Sequence, residues 1–118
     1  LDNPKTKNIS MVQSDDKVLD IGTKSIERYT EIIKKSSTVF WNGPLGYVEK
    51  KPYDKGTESI INVLADSDCF SVIGGGDTVS VIESMGVEDK ISYISTGGGA
   101  LLKYIEGKDM SVIKKLGL

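Results

Sequence analysis

Histidine is absent from this chain of 118 residues, and cysteine and arginine occur once each, as Cys69 and Arg28. Without histidine, the Ser-His, Cys-His and zinc-His chemistries are excluded. A single cysteine excludes an internal disulfide and a multi-cysteine metal site, and its place at the head of an apolar run predicts a buried, inert thiol. Because Arg28 is the single arginine, this chain offers almost no guanidinium group to bind a phosphate, and any such group must come from outside the chain.

The chain also lacks a basic surface and a long apolar run. Its 15 Lys and Arg residues against 17 Asp and Glu residues give a net charge of −2, which provides no positive field for nucleic acid and no polybasic membrane anchor. No stretch approaches the roughly 20 apolar residues that span a bilayer, and residues 1–10 lack the apolar region of a secretion signal. We therefore expect a cytoplasmic protein without nucleic-acid or membrane partners. Because the sequence opens on Leu1 rather than Met, we expect a fragment or a processed product.

What the chain has instead is glycine at the ends of three apolar, strand-like runs. These stretches are Thr38 to Gly46 (TVFWNGPLG), Phe70 to Thr78 (FSVIGGGDT) and Ile91 to Ala100 (ISYISTGGGA). A strand that enters a helix through residues without a β-carbon lets another molecule approach the backbone, and it directs unpaired N–H groups at that molecule. The pattern therefore predicts a phosphate-binding site.

Strand and helix patterns alternate along the chain. Strands are predicted over residues 17–21, 38–41, 69–73 and 91–95. Four helices are predicted between and after them: one over 24–35, one that begins at residue 56, one that ends at Gly86, and one over 99–106. We expect Thr23 to cap the first helix and Asp77 or Thr78 to cap the third. The alternation predicts an α/β fold, a three-layer parallel sheet flanked by helices. Residues 1–22 would form an arm with a short edge strand, and residues 23–118 the α/β domain.

In open parallel sheets, ligands bind beyond the carboxyl ends of the strands, so the three glycine turns should share one rim. At the second turn, Mg²⁺ prefers one or two carboxylates together with phosphates, which favours Asp77 as a metal neighbour and Thr78 as a donor to a phosphate. The alternative is that Asp77 only caps a helix and that the glycines form a tight turn.

The third turn offers bare N–H groups from Gly97, Gly98 and Gly99 without a carboxylate, which suits a migrating phosphoryl group. The alternative is that glycine is needed there for close packing of helix on sheet.

In the first turn, an amide, a proline and an exposed Leu45 suit a purine or its sugar, and Glu49 can accept from ribose hydroxyls. A hairpin-like loop with a solvated Glu49 explains the same residues.

The common nucleotide-binding motifs are missing. Val79 and Leu102 stand where a dinucleotide fingerprint places its third glycine, and Gly107-Lys108 lacks the upstream glycine and the following Ser or Thr of a phosphate-binding loop.

Taken in order, WNGPLG with Glu49, GGGDT, and STGGGA followed by Glu106-Gly107-Lys108 resemble the C-terminal part of phosphoglycerate kinase. Asp20-Ile21-Gly22 also resembles that family's DIG segment, and the resemblance runs from about Asp20 to the end. The sequence departs from the family pattern at Tyr93, where histidine is common, and at Lys103, where glutamate is usual.

The resemblance implies the second half of a Rossmann-like nucleotide-binding domain. It also implies a glycolytic enzyme that moves a phosphoryl group between 1,3-bisphosphoglycerate and ADP, with Mg²⁺. The residues along the nucleotide and its phosphates would be Asn42, Gly43, Pro44, Leu45, Glu49, Gly75, Gly76, Asp77 and Thr78. Asp77 would bind the metal complex, while Gly97, Gly98 and Gly99 would face the transferring group.

The family's N-terminal, triose-binding part and the first half of its nucleotide domain are not in this sequence. We therefore expect the isolated chain to be inactive, to hold half of a nucleotide site, and to expose an unpaired strand edge around Val39 to Trp41. Two alternatives stay open. One is a non-catalytic α/β oligomerisation or interaction module that dimerises through that edge, and the other is a different phosphate-binding enzyme of similar architecture.

Overall fold

The structure, a computed structural model, describes residues 4–107. Its elements are a 3₁₀ turn at Ile9–Met11, α1 (Thr23–Lys34), β1 (Thr38–Asn42), α2 (Lys55–Ala65), β2 (Phe70–Gly74), α3 (Gly76–Met85), a 3₁₀ turn at Glu88–Lys90, β3 (Tyr93–Ser95) and α4 (Gly99–Ile105). Lys108, which belongs to the motif that resembles the family, and residues 1–3 of the predicted arm lie outside the described residues. None of the helices within residues 4–107 has the length and apolar character needed to cross a bilayer.

The three strands form one parallel sheet in the order β1-β2-β3. Trp41 of β1 is paired with Ile73 of β2, which is paired with Ile94 of β3. The predicted α/β fold with a parallel sheet is therefore confirmed. Within residues 4–107, β1 has one neighbouring strand, so its other edge is open, as the sequence predicted.

Alternation along the strands divides the sheet into two different faces. One set of strand side chains, Val39, Trp41, Ile73 and Ile94, packs into a core with Ile33 of α1, Ile60, Ile61 and Leu64 of α2, and Ile82 of α3. Full burial of such an aliphatic side chain contributes about 1.5–3 kcal/mol. On the other face, Phe40, Phe70 and Tyr93 are 42%, 55% and 56% exposed. The helices α1, α2 and α3 therefore stabilise the sheet from the core face.

The predicted short strand from Lys17 to Ile21 is wrong, because residues 17–22 form no strand. Main-chain groups here pair with loops instead of with a sheet. The Asp20 side chain accepts from Ile21 N at 2.8 Å, and the Leu19 carbonyl accepts from Tyr47 N at 2.8 Å. The division of the chain into an arm over 1–22 and a domain over 23–118 stays a prediction.

Two predicted helix caps are also wrong. The N-cap of α1 is Gly22 rather than Thr23. The N-cap of α3 is Gly75, and Asp77 and Thr78 lie inside its first turn without capping it. Gly75 has φ of +93°, a conformation that an L side chain rarely adopts. Because the backbone itself makes this turn, the Asp77 carboxylate is left available for another role.

Candidate functional site

The ends of the three strands lie in one row. Asn42 at the end of β1 is paired with Gly74 at the end of β2, and Gly74 is paired with Ser95 at the end of β3. Because the strands are parallel, the turns that follow these residues leave from the same edge of the sheet. We call this edge, with residues Asn42–Gly46, Gly74–Thr78 and Ser95–Gly99, the glycine rim. The prediction that the three turns share one rim is confirmed.

The first two turns of the glycine rim contact each other through their backbones. Gly43 N donates to the Gly74 carbonyl at 3.2 Å. A β-carbon on Gly75 would lie 2.9 Å from Gly43 N, and one on Gly74 would lie 2.9 Å from Asn42 Oδ1. Close approach of main chain to main chain therefore requires small residues here, and it places Asn42 beside the start of α3.

Two buried polar atoms of these turns have no hydrogen-bond partner within the described part of the chain, Asn42 Oδ1 and Thr78 Oγ1. Thr78 is 0% exposed. Leaving a buried polar group unpaired costs about 1–3 kcal/mol, and such groups are uncommon in native proteins. Their position on adjoining turns of the glycine rim favours a site that a polar ligand or a water molecule completes.

The start of α3 offers further donors. Val79 N makes the first bond of the helix, to the Gly75 carbonyl at 3.0 Å, so the N–H groups of Gly76, Asp77 and Thr78 have no partner within the helix. Asp77 is exposed. Within residues 4–107, no hydrogen bond or ion pair to its carboxylate is found. Amide donors beside a carboxylate suit an anionic ligand that arrives with a cation.

The donor set fits Mg²⁺ that is held mainly by a ligand's phosphates. Within residues 4–107, no group of three or more His, Cys, Asp or Glu side chains comes together in a way that would hold a metal ion. Mg²⁺ commonly binds through one or two carboxylates plus substrate phosphates rather than in a protein cage. A single carboxylate at Asp77 meets that requirement only when a phosphate ligand is present.

The third turn is built differently from the second. Ser95 is buried, and its hydroxyl accepts from Gly97 N at 3.2 Å. A β-carbon on Gly99 would meet nothing within 4 Å, and the same holds for Gly76. Close packing of helix on sheet therefore does not require glycine at position 99, which weakens the packing alternative at this position of the third turn.

The loop after β1 differs from the prediction at Leu45, which was expected to be exposed. Leu45 is half-buried and packs against the core, and its N–H donates to Thr57 Oγ1 of α2 at 3.0 Å. Pro44 is also half-buried, whereas Glu49 is exposed in the following turn. The structure thus brings Asn42, Gly43, Gly75 and Thr78 together, and no described contact joins Glu49 to them.

Two residues that support the rim were missed by reasoning from the sequence, Thr57 and Asp20. Thr57 is 0% exposed, and its place in the first turn of an amphipathic helix was the available signal. Asp20 Oδ2 accepts from Gly56 N at 2.8 Å. The available signal for Asp20 was its place in the DIG segment, but the family resemblance assigned no role to that residue.

An ion-pair cluster lies at the start of α2, where Lys51 Nζ contacts Asp54 Oδ2 at 2.5 Å and Glu58 Oε1 at 2.9 Å. The hydrogen bonds to Asp54 and to Glu58 raise the pKa of Lys51 above its ordinary value. Burial raises the pKa of Asp54, but the hydrogen bond from Lys51 acts in the opposite direction, and the net pKa of Asp54 is lowered. The cluster therefore keeps both groups charged at neutral pH.

The fold and the glycine rim place the chain among α/β proteins whose ligands bind beyond the carboxyl ends of a parallel sheet. A family model described as phosphoglycerate kinase matches residues 2–108. The chain belongs to the phosphoglycerate kinase family, a family of glycolytic kinases, and the resemblance seen in its motifs is confirmed.

Two solved structures are similar to this chain. Phosphoglycerate kinase from Coxiella burnetii has a TM-score of 0.83 at 36% identity, and the match covers 92% of this chain and 28% of that one. Phosphoglycerate kinase from Pyrococcus horikoshii OT3 has a TM-score of 0.77 at 38% identity, with 86% of this chain and 25% of that one covered. The chain thus spans about a quarter of the length of these relatives.

Proposed function

We propose that this chain carries part of the Mg-nucleotide site of a cytoplasmic phosphoglycerate kinase, which transfers a phosphoryl group between 1,3-bisphosphoglycerate and ADP. We further propose that the chain by itself is inactive. The observation that carries the proposal is that Asn42 Oδ1 and Thr78 Oγ1, both buried and unpaired within residues 4–107, lie on adjoining turns of the glycine rim. A nucleotide phosphate would supply the acceptor for Thr78 and for the amides of this helix end.

In this proposal, each turn of the glycine rim binds a different part of the ligand. The nucleotide lies along Asn42, Gly43, Pro44 and Leu45, with its ribose at Glu49. Its phosphates lie at Gly75, Gly76 and Thr78, with Asp77 beside the metal. The transferring group faces Gly97, Gly98 and Gly99 in the neighbouring turn.

The absence of histidine agrees with this chemistry. The acyl phosphate donor and the accepting nucleotide oxygen are both reactive anionic species, so the transfer needs no strong general base. Positioning of the two reactants and neutralisation of their charge account for most of the rate in phosphoryl transfer. When bound, Mg²⁺ would supply part of that neutralisation, and Asp77 is the residue that would hold it beside the phosphates.

The remainder of the same enzyme is the proposed partner, and it would supply the phosphoglycerate site. The chain spans about a quarter of its relatives' length. Phe40, Phe70 and Tyr93 form an exposed aromatic face on the sheet, and β1 has an open edge within residues 4–107. An apolar face of this kind and an unpaired edge both favour contact with further chain.

Calorimetry with ADP tests the nucleotide site. We expect weak binding that depends on Mg²⁺ and falls in the Asp77→Asn variant. Asp68→Asn is the matched control, because Asp68 is also exposed but precedes β2, at the opposite end of that strand from Asp77. Binding that is equal in all three proteins would remove Asp77 from its role.

A coupled kinase assay of the 118-residue chain tests its inactivity, and turnover near that of an ordinary kinase would refute that part.

The second candidate is a non-catalytic interaction or oligomerisation module, which the exposed aromatic face and the open β1 edge also favour. Such a module should dimerise through this edge whether or not nucleotide is present. Analytical ultracentrifugation with and without MgADP separates the two candidates. A dimer that ignores MgADP, together with no heat of binding, would support the module.

A further inference from the structure

The loop of the glycine rim that follows β1 is fixed by hydrogen bonds from its main chain to three different segments. Gly43 N is bonded to the Gly74 carbonyl at 3.2 Å and Tyr47 N to the Leu19 carbonyl at 2.8 Å. Leu45 N is bonded to Thr57 Oγ1 at 3.0 Å. Every second residue from Gly43 to Tyr47 is therefore fixed through its main-chain donor, and one of the three acceptors belongs to the segment that carries Asp20.

The Asp20 carboxylate lies between this loop and the start of α2. Oδ1 accepts from Ile21 N at 2.8 Å, and Oδ2 accepts from Gly56 N at 2.8 Å. A β-carbon on Gly46 would collide with the Tyr53 carbonyl oxygen and would lie 2.5 Å from Asp20 Oδ1, and a β-carbon on Gly56 would collide with Oδ1 and with the Ile21 side chain. Two glycines, one in the loop and one in α2, thus leave a slot that the carboxylate fills.

We propose that Asp20 is a positioning residue for nucleotide binding, which sets the path of the Gly43–Gly46 loop through its contacts with Gly46 and Gly56 without touching the ligand. The inference rests on the proposed function, since it concerns the loop on which the nucleotide would lie. A carboxylate suits the slot because it accepts from two N–H groups at once. An amide keeps the shape but has one acceptor oxygen, so one of the two N–H groups would face an NH₂ group.

The test compares Asp20→Asn with Asp16→Asn in the 118-residue chain. Asp16 is matched to Asp20, because it is half-buried in the same arm and accepts from a backbone donor, Gln13 N, at 2.8 Å. It pairs with Lys7 rather than with the loop. Both variants are measured below their melting temperatures for the Kd of MgADP and for the emission of Trp41, the single tryptophan, which precedes the loop.

We expect Asp20→Asn to raise the Kd about 5-fold, the factor that corresponds to losing roughly one net hydrogen bond. We also expect it to shift Trp41 emission in the free protein, whereas Asp16→Asn should change neither value. A merely structural Asp20 would lower the melting temperature and leave both values of the folded protein unchanged. That result would overturn the proposal.

The failure of this inference is distinguishable from failure of the proposed function. If the unaltered chain does not bind MgADP, the nucleotide site fails, and Trp41 emission alone decides whether Asp20 sets the loop. If Asp20→Asn does not fold by circular dichroism, Asp20→Ser takes its place, because the smaller side chain fits the slot without an NH₂ group facing either N–H donor. An unchanged Kd and unchanged emission in a folded Asp20→Ser protein would overturn the proposal equally.

Discussion

Replacing Gly76 with alanine should separate the stability of this chain from its binding of nucleotide. Gly76 is the first residue of α3, and a β-carbon there would meet nothing within 4 Å among the described residues. Where the backbone is compatible, Gly→Ala stabilises by about 0.4–1 kcal/mol, since the unfolded chain loses freedom. We therefore expect the free energy of unfolding to stay the same or to rise by that amount.

The effect on binding should have the opposite sign. In the proposed site, a phosphate lies against the backbone of Gly76, and a methyl group would hold it away from the amides. Hydrogen bonds to a charged group contribute about 1.5–3 kcal/mol each, so the loss of one corresponds to a rise of about 10- to 150-fold in the Kd of MgADP. Calorimetry gives the Kd, and urea unfolding gives the free energy.

The control is Gly86→Ala at the other end of the same helix. A β-carbon on Gly86 would also meet nothing within 4 Å, but its φ is +65°. The left-handed conformation costs an L residue about 1–2 kcal/mol, so this variant should be less stable while its Kd is unchanged. The reasoning would be refuted if Gly76→Ala kept the original Kd, or if it destabilised the chain as much as Gly86→Ala does.

Two further predictions concern buried polar groups. Thr78→Val should keep or raise the free energy of unfolding and weaken MgADP binding about 10-fold, because it removes an unpaired hydroxyl. Thr57→Val, which removes the acceptor of Leu45 N, should instead destabilise by about 1–3 kcal/mol. Equal effects on stability would contradict this contrast, and urea unfolding measures both. For Asp54, the lowered pKa means that folding favours the carboxylate, so its stabilising contribution is present above its ordinary value of 3.8 and is lost as the pH falls through the lower folded value. Asp54→Asn should therefore be less stable than the original chain at neutral pH, with a difference that closes in acid. A difference that is constant with pH would be evidence against the ion pair.

Much of the fold could be predicted because the signals are local. Apolar runs that stop at glycine fall on β1, β2 and β3, and the periodic apolar residues between them fall on helices. Gly86 was predicted to end α3, and it does so in the left-handed conformation. The strand predicted over Lys17 to Ile21 is wrong. A short alternation of apolar residues has the same sequence pattern whether its main-chain groups pair with a strand or with loops and a side chain.

The order of residues in the chain was enough to determine the family, the alternation of strand and helix, and the placing of glycine where backbones approach closely. These features depend on neighbours in the chain, and they could be read directly. Which of two buried threonines is paired depended on the tertiary structure, because Thr57 meets Leu45 N while Thr78 Oγ1 meets no partner within residues 4–107. Only folding brings Asp20 against Gly46 and Gly56, since hydrogen bonds between distant segments leave no periodic trace in the sequence.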